Sequence, residues 1–89
     1  MTNFTMEQII NHLVKYCGFK AYKDEDGEIF SLEKQGIINW AVRKAGYLNI
    51  VGGLGKDMIT MVSINLNRDE VILGYDGSIV VNHVHFNFK

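Results

Sequence analysis

Two hydrophobic periods divide this chain. In parts of the first half, apolar residues recur at helical spacing; in the second half they form short runs that alternate with polar residues. Met6, Ile9, Ile10, Leu13, Val14 and Cys17 follow an i, i+3, i+4 pattern and predict an amphipathic helix. Thr5 and Gln8 stand at the two positions of a capping box, and Phe4 and Ile9 at those of a hydrophobic staple across the same terminus. Gly18 supplies a left-handed stop. Glu7, Asn11, His12 and Lys15 make the polar face.

The next stretch, Phe19 to Ser31, centres on the acidic turn Asp24-Glu25-Asp26-Gly27-Glu28, with Phe19, Ala21, Tyr22, Ile29 and Phe30 on either side. That arrangement predicts a short hairpin. Within Leu32 to Ala45, the residues Ile37, Ile38, Trp40, Ala41, Val42 and Ala45 read as a broad apolar helix face. Glu33, Lys34, Arg43 and Lys44 are its wet side, and Gly46 closes it. Gly36 costs up to about 1 kcal/mol in helix propensity, which favours a start at that residue.

From Tyr47 to Lys89, four apolar runs are separated by Gly52-Gly53-Leu54-Gly55, Asn67-Arg68-Asp69 and Asp76-Gly77. Asp-Gly is a strong hairpin signal, so this half predicts a four-stranded antiparallel meander. In its second run Met58, Thr60, Val62, Ile64 and Leu66 alternate with Ile59, Met61, Ser63 and Asn65. A two-residue Asp76-Gly77 loop pairs Leu73 with Val80 and Ile72 with Val81. The last strand then carries Val80, Val84, Phe86 and Phe88 on one face and Ile79, Val81, His83 and His85 on the other. The expected fold is α+β: a helix, a short β-hairpin, a second helix, then the meander, with both helices packed on one sheet face and residues 1–89 in one domain. Helices covering one side leave apolar strand residues on the other. Ile72, Ile79, Val81, His83 and His85 are therefore the candidate partner-binding set.

Composition narrows the function classes. A hydrophobic content of 47% argues against a disordered chain. A formal net charge of −1 gives no electrostatic grip on nucleic acid or an anionic membrane. Cys17 is the only cysteine, so no internal disulfide is available and a reducing, cytoplasmic setting is expected. The N-terminus is polar with spaced apolar residues, unlike a secretory leader. No run approaches the about 20 apolar residues of a membrane span.

Four stretches invite chemistry. Tyr22 to Glu33 resembles an EF-hand calcium loop: Asp24, Asp26, Gly27, Ile29 and Glu33 fall at that family's positions. The resemblance implies a sharp turn at Gly27 and bidentate binding by Glu33. Tyr22 stands where the family places a carboxylate, and Gly18 ends the incoming helix too early, so a solvated hairpin turn is the expected reading. His83-Val84-His85 places two imidazoles on one strand face, a metal pair only if His12, Cys17 or a carboxylate joins them. Gly52-Gly53-Leu54-Gly55-Lys56 lacks the spacing and following helix of a phosphate loop. Cys17 belongs to the apolar stripe of the first helix, where cysteine packs as a small hydrophobe. No nucleophile–base set is apparent among Ser63 and the histidines.

These features predict a non-enzymatic, cofactor-free protein-binding module, an inhibitor or regulatory accessory protein of the size found in phage or mobile elements. A protein partner is expected, with homodimerisation through a sheet face as one form of it and no membrane. Nucleic-acid binding is the second reading. It rests on Lys15, Lys20, Lys23, Lys34, Arg43 and Lys44 interleaved with Tyr16, Tyr22 and Trp40, a set interrupted by Asp24, Glu25, Asp26, Glu28 and Glu33.

Overall fold

The computed structural model describes residues 4–42, 45–52 and 60–88. Among them, one helix is followed by strands: α1 (Met6–Cys17), β1 (Lys20–Lys23), β2 (Ile29–Lys34), β3 (Ile37–Val42), β4 (Tyr47–Gly52), β5 (Thr60–Asn65), β6 (Val71–Leu73), β7 (Ser78–Val81) and β8 (Val84–Asn87). β1 to β5 form a five-stranded antiparallel sheet in chain order, and β6 to β8 a separate three-stranded one. The expected helix–hairpin–helix–meander fold is therefore incorrect: the protein is mostly β.

The first helix forms as its sequence dictates. The Thr5 hydroxyl accepts from the Gln8 N–H, the Gln8 side chain accepts from the Thr5 N–H, and Gly18 ends the helix at φ 75°. Such a cap satisfies amides that the first turn leaves without partners. Met6, Ile9, Ile10, Leu13 and Cys17 face the core. The hairpin across the acidic turn also forms, as β1 paired with β2 from Lys20↔Glu33 to Lys23↔Phe30. Asp24 Oδ1 accepts from the N–H groups of Glu28 and Ile29, and Asp26 Oδ1 from that of Glu28. The two carboxylates thus close the turn. Glu33 lies along β2 opposite Lys20 and Ile38, so the loop resembling an EF-hand is split between a turn and a strand.

The expected second helix is the main correction. From Leu32 to Val42 its residues belong to β2 and β3, joined at Gln35 (φ 54°) and Gly36 (φ 81°). Two consecutive residues at positive φ are the signature of a type I′ hairpin, whose twist matches that of the flanking strands. Phe30, Leu32, Asn39 and Ala41 point inward, while Ile38 and Trp40 point outward. Apolar residues on both faces of β3 produced the impression of a broad helical stripe.

In the second half, β4 pairs with β5 as the alternation suggests, placing Leu48, Ile50, Val62 and Ile64 inside. The connection, Gly53 to Ile59, lies outside the described residues, so the glycine-rich turn is not placed. After β5 the chain leaves this sheet. The remaining strands do not form one meander with β4 and β5. The Asp76-Gly77 loop is one residue longer than expected: Gly74 and Ser78 bracket Tyr75-Asp76-Gly77, with Gly77 at φ 89°. A left-handed residue after a turn is the three-residue hairpin form. It pairs Leu73 with Ile79 and Ile72 with Val80. A slip of one residue exchanges the faces of a strand. A second two-residue loop, Asn82-His83 with both residues at positive φ, divides the expected last strand into β7 and β8.

One hydrophobic cluster unites α1, the inner face of the large sheet and Val71, Ile79, Val81 and Phe88. α1 bridges to the small sheet: His12 Nε2 lies 3.2 Å from the Ser78 carbonyl, and the Cys17 thiol donates to that of Gly77. Asp69 is a polar tie between the sheets. Its carboxylate accepts from the Asn65 N–H at the end of β5 (2.8 Å) and from the Asn82 amide in the β7–β8 turn (3.0 Å). These bonds hold its carboxyl below the usual carboxylate range.

Candidate protein-binding face

The site that stands out is the outer face of the five-stranded sheet. Cross-strand partners share a face, so the registers place Tyr22, Ser31 and Trp40 in one row and Ile29, Val42, Tyr47 and Asn65 in the next. Tyr22 and Trp40 are two strands apart, about 10 Å. Trp40 is 58% exposed, Ile38 56% and Met61 64%, in a protein whose inward residues on the same strands are buried. Tyr22, Ile29 and Tyr47 are exposed beside them.

The margins are polar. Ser63 Oγ donates to Asn49 Oδ1 at 2.6 Å, forming a hydrogen-bonded ledge on β4 and β5. At the opposite side Lys20 and Glu33 are cross-strand neighbours and offset one another. They are the only charged side chains on this face among the described residues. The face is thus apolar and aromatic around Trp40, nearly neutral, and crossed by the hydroxyls and amide of Ser31, Ser63 and Asn49. Contiguous apolar surface with a polar rim marks interaction sites, and Trp, Tyr and Met are enriched there while Lys and Glu are depleted.

The residues expected to form the partner-binding set are not brought together. Ile79 and Val81 are core residues of β7. Ile72 and His85 lie on the opposite, outward face of the small sheet, each paired with Val80, and His83 sits in the β7–β8 turn. The one-residue slip at the Asp76-Gly77 loop puts Ile72 on the face opposite Ile79 and Val81, and the Asn82-His83 turn puts His85 there as well. His83 and His85 gain no third partner from His12 or Cys17, which are buried and bonded to the carbonyls of Ser78 and Gly77. Among the described residues no group of three His, Cys, Asp or Glu side chains is placed to hold a metal ion. Of the basic residues that suggested nucleic acid, Lys15 lies over the Tyr16 ring and Lys34 reaches the Phe88 carbonyl. Arg43 and Lys44 lie outside the described residues.

The outer face was missed because its central residues Ile38, Trp40 and Val42 were assigned to a helix. The signal that finds it is the Gln35-Gly36 pair between two runs rich in β-branched and aromatic residues. Among the described residues no helix is long and apolar enough to cross a membrane. No known protein family, curated protein or solved structure matches this chain.

Proposed function

We propose that this protein is a small binding module that docks a foreign protein on the outer face of its five-stranded sheet, in an inhibitory or regulatory role rather than as an enzyme. The exposure of Trp40 among Tyr22, Ile38, Tyr47 and Met61 carries the reading. Exposing this much apolar surface leaves it in contact with water, a cost that a partner's apolar surface removes. The near absence of charge favours a flat, weakly charged protein surface as the occupant. Nucleic acid ranks second: the aromatics suit base stacking, but Lys20 is the face's sole described cation and Glu33 stands opposite it. A buried, reduced Cys17 fits a cytoplasmic setting.

The test is affinity capture from the source cells with the parent chain and with Trp40→Asp, alongside sedimentation of the purified protein. A protein retained by the parent and lost with Trp40→Asp, both variants being folded by circular dichroism, supports the reading. Identical capture by both rejects it. A dimer that dissociates on Trp40→Asp assigns the face to a second copy instead.

A further inference from the structure

The open edge of the large sheet carries a second feature, separate from its outer face. Among the described residues β1 is the outermost strand and pairs only with β2. The bond from the Asp24 N–H to the Ile29 carbonyl (2.9 Å) sets the phase of this ladder. Bonded and non-bonded pairs alternate in antiparallel strands. Tyr22 and Lys20 therefore exchange bonds with Ser31 and Glu33, while Ala21 and Lys23 turn their N–H and C=O groups outward. Among the described residues no backbone group bonds to them there. The same two residues line a groove of about 290 Å³ between β1 and α1. Its floor is apolar, from Ile10, Ala21 and Phe30, and its lips carry Glu7, Asn11 and Lys23.

We propose that this edge accepts an extended peptide segment of a partner protein as an added strand beside β1. The outward groups of Ala21 and Lys23 supply the ladder, and a groove on the same side receives a side chain; together these are the parts of strand-addition recognition. Side chains of the incoming strand alternate. One apolar residue fills the groove over Ile10 and Phe30, and its neighbours lie beside Tyr22 at the margin of the outer face. Lys23 makes no ion pair among the described residues, so an acidic residue two positions from the apolar one, on the same face, completes the fit. A lysine on an edge strand can also serve to repel other strands, and the two roles differ in outcome.

A phage library of random heptapeptides, selected on the immobilised full chain, tests this. Enriched peptides are synthesised and titrated into the ¹⁵N-labelled protein. The expected binders alternate apolar residues and carry a carboxylate. They shift the amides of Ala21 and Lys23 most and slow their hydrogen exchange. Ala21→Pro removes an outward N–H without touching the β1–β2 ladder, a place where a strand tolerates proline, and should weaken binding about ten-fold. Lys23→Glu should weaken the same peptides and carries the test if Ala21→Pro fails to fold. Trp40→Asp should leave peptide affinity unchanged, which separates this proposal from that for the outer face. A selection without binders overturns the proposal. So do binders whose shifts centre on Trp40 and Tyr47 and that ignore Ala21→Pro and Lys23→Glu.

Discussion

The two faces of the five-stranded sheet are built from alternate residues of the same strands, yet they do different work. Leu32, Ala41, Leu48, Ile50 and Ile64 on the inner face are fully buried beneath α1 and the small sheet. Ile38, Trp40 and Met61 on the outer face are as apolar and remain more than half exposed. Burial, not hydrophobicity, converts an apolar side chain into stability. The inner set therefore holds the fold, and the outer set is available for association.

The sharpest way to break this comparison is to truncate one residue from the inner face. Leu48→Ala should cost about 2–5 kcal/mol, the range for emptying a well-packed core site. A urea midpoint close to the parent's would show that the inner face is not the core. Asp69→Ala should cost about 2 kcal/mol, because it removes the acceptor shared by Asn65 and Asn82 and unties the two sheets. Guanidinium unfolding reads this loss. A change below a few tenths would show that these two bonds do not hold the sheets together. Gly77→Val should cost more than about 1 kcal/mol, since valine is strained at φ 89°. Coincident denaturation curves would contradict the three-residue loop.

Acid should act on the turns rather than on either face. Asp69 is held low by the Asn65 N–H, Asp24 by that of Ile29, and Asp76 by the Ser78 hydroxyl. Each binds its proton more weakly when folded than when unfolded. Their contribution is therefore complete above the ordinary carboxylate range and is lost as pH falls below about 4 through the lowered values. Thermal midpoints that are flat from neutrality to pH 5 and then decline would agree; a midpoint rising below pH 4 would not. The smallest effect belongs to the outer face: Trp40→Ser should change stability by no more than about 0.5 kcal/mol. A loss of core size would mean that Trp40 is packed.

How much of this was legible follows the same division. α1 could be read through its cap, because Thr5, Gln8 and Gly18 state its ends locally. The β1–β2 hairpin was legible because Asp and Gly concentrate in its turn. β3 was not. An inner face of Asn39 and Ala41 beside an outer face of Ile38, Trp40 and Val42 destroys the alternation that identifies a half-buried strand. The apolar residues of the outer face erased the signal of the strand that carries them. The β6–β7 register depended on whether the loop holds two residues or three, which the Asp76-Gly77 pair alone does not decide. That single residue moved Ile79 and Val81 from a proposed surface into the core.

Trp40 is the only tryptophan, so its fluorescence reports the outer face directly. Acrylamide quenching of the native protein, measured from nanomolar to micromolar concentration, tests the central claim. Quenching nearly as efficient as in the urea-unfolded chain, unchanged over that range and suppressed only when a partner is added, is the predicted result. A shielded, blue-shifted Trp40 in the dilute native monomer would place it in the core and contradict the account.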